Sequence, residues 1–202
     1  MAIAVGTIVF LLKVLAFMES GSVALLSDAM ESIINIVASV MMFTALIISS
    51  RPEDVEHRYG HQKAENISAL IEGILIIIAA ILIIQATAGR LLEPIELENV
   101  DLGMMISLAA TSINGILAAI MMNVARSERS MALEGDAKHL FSDVISSVGV
   151  VAGLFVASVT GLYILDPLIA LVVAALLIRM GIEVLRRTSH DLMDSSAHEE
   201  EK

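Results

Sequence analysis

Residues 23–48 read VALLSDAMESIINIVASVMMFTALII, and only Asp28 and Glu31 in that stretch carry charge. At about 1.5 Å per helical residue, a run of this length crosses a hydrocarbon core about 30 Å thick. It does not alternate as a barrel strand would, so it reads as a transmembrane helix. Five further apolar runs flank it: Ala2–Phe17, Ile67–Ala86, Leu102–Val124, Ala132–Val159 and Leu162–Leu185. The predicted fold is an all-α membrane protein, a six-transmembrane-helix bundle with no soluble domain. The first run is short and begins at the initiator Met. Without a basic leader or a small-residue cleavage site, it reads as a clipped first span rather than a signal peptide.

Composition leads to the same place. Of 202 residues, 57% are apolar and 17% charged, and mean hydropathy is +0.85. A soluble domain carries roughly a quarter of its residues charged, and disordered chains lack apolar mass. Neither description fits. The absence of cysteine removes disulfides, thiolate metal ligands and a cysteine nucleophile. A net charge of -11 excludes nucleic acid as a partner.

Basic residues set the orientation. Arg51, Arg58 and Lys63 lie in the second connection, Arg126 and Arg129 in the fourth, and Arg179, Arg186, Arg187 and Lys202 towards the C-terminus. The third connection has Arg90 among Glu93, Glu96, Glu98 and Asp101. The expectation is a multi-pass protein of the cell (inner) membrane with both termini cytoplasmic. Residues 1–188 then form the transport domain, and residues 189–202 a short acidic cytoplasmic tail.

Ionisable groups at membrane depth are costly and mark ligand sites or pathways. The second span holds Asp28-Ala29-Met30-Glu31-Ser32-Ile33-Ile34-Asn35-Ile36-Val37-Ala38-Ser39-Val40. The fifth holds Asp136-Ala137-Lys138-His139-Leu140-Phe141-Ser142-Asp143-Val144-Ile145-Ser146-Ser147-Val148. Laid over each other at an offset of 108, both begin Asp-Ala and end Ser-Val, as an internal repeat would. Glu31 meets His139, and Asn35 meets Asp143.

Residues i and i+4 share a helix face, so Glu31 with Asn35, and His139 with Asp143, each form a two-ligand clip. Two facing clips supply the four ligands of a tetrahedral divalent site, and two carboxylates neutralise the ion. A structural alternative needs a buried ion pair, and on this reading only His139 is a nearby cation, one charge against two. Asp28 and Asp136 are each open to two readings, helix cap or access path for the ion, with Lys138 available to neutralise Asp136.

These segments resemble the transmembrane domain of the cation diffusion facilitator family, divalent metal/proton antiporters. The resemblance covers the six spans, the Gly21-Ser22-Val23-Ala24-Leu25-Leu26-Ser27-Asp28-Ala29 lead, His139-x-x-x-Asp143, and the loop His57-Arg58-Tyr59-Gly60-His61-Gln62-Lys63-Ala64-Glu65. It implies a transport site shared by spans two and five, in which each usually donates His or Asp and then Asp four residues on. His139 and Asp143 match. Glu31 and Asn35 depart from the pattern, and their harder oxygens lean away from zinc alone towards Fe²⁺ or Mn²⁺. The resemblance also implies a zinc-binding loop site at Asp54, His57 and His61, although His61 packing on Tyr59 and Asp54 as a cap account for them too. Lys63 and Glu65 read as a solvated pair. Homodimerisation is implied likewise. So is a metal-sensing cytosolic domain after span six, of which Asp191-Leu192-Met193-Asp194 looks like the beginning.

The expected function is export of a divalent metal (Zn, Fe, Mn or Co) as substrate, with no prosthetic group. Metal binding displaces protons from its ligands, and imidazole, which titrates near physiological pH, makes His139 the natural coupling group. An enzyme is not expected, since no HExxH motif or nucleophile elbow occurs. The rival expectation is a truncated, non-transporting metal-binding or dimerising membrane subunit.

Overall fold

The computed structural model describes residues 2–50, 63–93, 97–128 and 131–192. They form α1 (Ala2–Ser20), α2 (Val23–Ser49), α3 (Lys63–Leu92), α4 (Val100–Glu128), α5 (Met131–Thr160) and α6 (Leu165–Leu192). All six are long and apolar enough to cross a membrane, and no strand occurs among the described residues. The all-α six-span bundle expected from the apolar runs is the fold observed.

Most helices outrun their apolar cores, because polar flanks keep satisfying backbone hydrogen bonds within the helix. The start of α6 is different. Gly161 adopts φ 69 at the end of α5, and the chain turns before Leu165 rather than entering a helix at Leu162. Pro167 then sits in the first turn of α6, where its missing N–H costs nothing.

The distribution of side chains is that of helices solvated by lipid. Met105, Ile145 and Val159 point outward at 70%, 73% and 70% exposure, while Ala16, Ala24, Ala80, Ala118, Ala137 and Ala174 are sealed between helices. Small residues let backbones approach where no hydrophobic force separates helix from lipid. The α3–α6 pair is the tightest of these contacts. A Cβ on Gly181 would lie 2.8 Å from Ile77 and 3.1 Å from the Gly73 carbonyl, and one on Gly73 would lie 3.3 Å from the Gly181 carbonyl.

The α1–α2 turn is pinned from outside itself. Gly21, at φ 64, closes α1 by donating to the Phe17 carbonyl at 2.7 Å. Ser22 caps α2, accepting from the Leu25 N–H at 3.1 Å. From the first turn of α6, Asp166 accepts from the N–H groups of Val23 and Ala24, both at 3.0 Å, and from the Ser22 hydroxyl. A carboxylate at a helix N-terminus satisfies orphan donors and favours the helix dipole.

α1 packs on α4 and α2, α4 on α5, and α2 on α3, while α3 and α6 form a pair alongside. α2 and α5 meet only locally and run in opposite directions across the bundle. One face carries the α2–α3 and α4–α5 connections, and the other carries the α1–α2, α3–α4 and α5–α6 turns.

Candidate metal site

Asn35 lies twelve residues from the first residue of α2, and Asp143 lies twelve from the first residue of α5. Each is therefore about 18 Å from an opposite end of the bundle, and the two helices meet at mid-depth. There the Asn35 Nδ2 donates to Asp143 Oδ2 at 2.6 Å. His139 Nε2 stands 3.5 Å from Asn35 Oδ1 and 4.0 Å from Asp143 Oδ1. Glu31, four residues before Asn35 on the same face of α2, neighbours Asp143. All four residues predicted to act together are thus neighbours.

No three His, Asp or Glu side chains are drawn tightly enough to enclose an ion among the described residues. An amide occupies one corner and bridges Asp143 to His139. An ion holding tetrahedral ligands at about 2.1 Å spaces them about 3.4 Å apart. The 3.5 and 4.0 Å separations around His139 need only a small contraction to reach that. The donor set suits a divalent cation in charge as well, with two carboxylates and two neutral groups.

Asn35, His139 and Asp143 line a cavity of about 380 Å³. Its walls come from the first half of α1 (Ile3, Gly6, Val9), the second half of α2, the start of α5 and the mid-portion of α4. All of these lie towards the face with the α2–α3 and α4–α5 connections. His139 is 47% exposed, whereas Asp143 is 7% exposed, so the imidazole lines the open part and the carboxylate its floor. Asp136 and Glu72 also line this cavity.

Beyond the floor the bundle is closed by a buried polar cluster. Lys13 Nζ donates to Asp28 Oδ1 at 2.8 Å and to Ser147 Oγ at 3.0 Å. Ser147 donates to Asp28 Oδ1 at 2.6 Å, and Ser107 reaches Asp28 Oδ2 at 3.3 Å. One side chain each from α1, α2, α4 and α5 is tied together, with Lys13 and Asp28 almost wholly sealed. This corrects the sequence reading in two ways. Asp28 caps no helix, since α2 starts five residues earlier at Val23 under Ser22. His139 is not the sole cation near the carboxylates, since Lys13 is a second, and it is already matched by Asp28.

One smaller expectation also changes. Lys138 pairs with Glu134 one turn back, at 2.8 Å, and not with Asp136. Glu65 accepts from Ser49, fastening the end of α2 to the start of α3, and the Lys63 side chain, with which a solvated pair was expected, lies outside the described residues. Asp54, His57 and His61 lie outside the described residues. Lys13 and Glu72 went unremarked in the sequence although each is a charge in an apolar run, the very signal that singled out Glu31.

Residues 1–193 match the family model for the cation efflux transmembrane domain. The chain belongs to the cation efflux family. This agrees with the resemblance carried by the His139-x-x-x-Asp143 clip and the loop motif. Among relatives of this cation efflux domain, an uncharacterized transporter of Synechocystis, sll1263, is 43% identical over 185 residues, covering 92% of this chain and 60% of the relative. The cation-efflux pump FieF of Shewanella oneidensis is 29% identical over 199 residues, covering 98% and 67%. That of Pectobacterium atrosepticum is 29% identical over 200 residues, covering 99% and 66%. The chain therefore spans between 60% and 67% of the length of these relatives.

Proposed function

We propose that this protein exports a divalent first-row cation from the cytosol in exchange for protons, by alternating access. The observation that carries the reading is the meeting of Glu31, Asn35, His139 and Asp143 at mid-depth, the last three lining a cavity whose walls lie towards one face. Basic loop residues favour a cytosolic side for that face, and on that reading the cavity is an inward-facing one. The relatives named as cation-efflux pumps support the direction of transport.

Metal arrives along the wall bearing Glu72 and Asp136 and binds the four donors. Binding needs ionised carboxylates and a neutral imidazole, so protons leave as metal enters and compete it off on the far side. Asn35 cannot titrate, which leaves three proton-exchanging ligands. Oxygen donors in three of four places favour Fe²⁺ or Mn²⁺ over a zinc-only preference. We take the protein to work as a homodimer in the inner membrane with both termini in the cytosol.

The test is metal-dependent flux in proteoliposomes under a set pH gradient, comparing Zn²⁺, Fe²⁺, Mn²⁺ and Co²⁺. His139→Ala is expected to abolish proton-coupled uptake. Flux with unchanged pH dependence in that variant would overturn the mechanism. No flux from the unaltered chain would favour the non-transporting subunit.

A further inference from the structure

We infer that Asn114 of α4 supplies a fifth donor to the transported ion and sets its preference among divalent metals. This rests on the proposed transport site and deepens it. Asn114 is 8% exposed and lines the same cavity as Asn35, His139 and Asp143. It lies fourteen residues into α4, at the same mid-depth. Its neighbours on α4 are all satisfied: Ser107 bonds Asp28, Thr111 bonds the Ser107 carbonyl, and Ser112 bonds the Leu108 carbonyl. Asn114 has no hydrogen-bond partner among the described residues. A buried amide left unpaired is costly, and here it borders the one place where a cation would accept its oxygen.

With Asn114 the donor set becomes one imidazole nitrogen and four oxygens. Five donors exceed the tetrahedral number that zinc takes in closed sites. Oxygen-rich sets of higher coordination number suit Mn²⁺. Asn114 therefore acts on selectivity more than on the presence of a site.

The test uses the full chain in detergent, with Mn²⁺ affinity read from the spin-resonance signal of the free ion and Zn²⁺ affinity from calorimetry. Asn114→Leu should weaken Mn²⁺ binding by about tenfold or more while leaving Zn²⁺ binding nearly unchanged. Asn114→Asp should restore Mn²⁺ binding. Equal loss for both ions, or no loss for either, would overturn the inference. The metal-free melting temperature of Asn114→Leu should not fall, since no bond is removed, and a large fall would assign the residue a structural role instead. Absence of binding to the unaltered chain would defeat the four-residue site itself and this inference with it.

A second observation stands apart from the first. Asp28 of α2 and Ser147 of α5 are bonded at 2.6 Å on the closed side of the site. Eleven residues on along α2 is Ser39, and eleven back along α5 is Asp136. Eleven residues make about three turns, so each lies on the same helix face as its counterpart. Continued along both helices, the antiparallel register sets Ser39 opposite Asp136, and the internal repeat offset of 108 relates Asp28 to Asp136 and Ser39 to Ser147. Both are exposed and line the open cavity.

The geometry points to reciprocal latches: Ser147–Asp28 closes one face here, and Ser39–Asp136 closes the other when the bundle rocks. The chain has no cysteine, so a Ser39→Cys, Asp136→Cys pair can be oxidised cleanly. During Mn²⁺ turnover in proteoliposomes the pair should crosslink and arrest uptake, and reduction should restore it. Failure to crosslink in a variant that transports, or undiminished uptake when crosslinked, would refute the latch. A loss of transport in the unaltered chain would count against the exporter reading instead.

Discussion

Asn35 and Asp143 occupy matching positions in two helices of opposite direction, and the amide of one donates to the carboxylate of the other at 2.6 Å. That bond fixes the amide so that its oxygen faces His139. Asn35→Asp removes the donor and sets a third carboxylate beside Glu31 and Asp143. Without metal the variant should be less stable by about 1–3 kcal/mol. Added Zn²⁺ should recover the loss, because the ion then neutralises the extra charge. Melting temperature with and without Zn²⁺ checks both halves, and a metal-independent loss would contradict the site.

Lys13 and Asp28 form a sealed ion pair with two serine hydroxyls attached. Removing one partner of such a pair strands a charge, at a cost of about 3–5 kcal/mol. Lys13→Met should therefore be severely destabilising. The double change Lys13→Met, Asp28→Leu should be much milder than the two single costs added together. Unfolding in detergent across this double-mutant cycle gives the coupling.

How much of this arrangement could be read beforehand depends on the kind of residue. The spans were legible because hydrocarbon length demands unbroken apolar runs, and Glu31, Asn35, His139 and Asp143 because i, i+4 spacing places donors on one face. Lys13 and Glu72 obey the same rule but stand singly, with no spaced partner to draw the eye. Ser107, Ser147 and Asn114 are neutral residues common in membrane helices, and only the packing of α1, α2, α4 and α5 gives them meaning. Asp166 is less legible still, since it caps a helix 143 residues away in sequence.

Glycine substitutions should separate close packing from open space. Gly181→Ala drives a Cβ into Ile77 and the Gly73 carbonyl, and overpacking of this kind costs about 1–3 kcal/mol. Gly89→Ala meets nothing within 4 Å and should stabilise α3 by about 0.5–1 kcal/mol through helix propensity. The two changes should move the melting temperature in opposite directions.

Asp166 offers a test of how α6 anchors α2. Asp166→Ala leaves the Val23 and Ala24 N–H groups without their acceptor. Loss of a helix cap costs about 0.5–2 kcal/mol. Hydrogen exchange should rise at the first turn of α2 and stay unchanged at its far end near Ser49.

Glu72 lines the cavity but makes no hydrogen bond to the four central residues among the described side chains. Its charge therefore acts at a distance, raising the local concentration of cations on the way in. Glu72→Gln should slow uptake at low metal concentration while leaving the maximal rate and the preference among metals intact. The difference should shrink as salt rises, since screening weakens attraction between separated charges. Initial rates measured against metal concentration at two ionic strengths distinguish this from ligation. A ligand removed from the ion would change selectivity and would do so at every ionic strength.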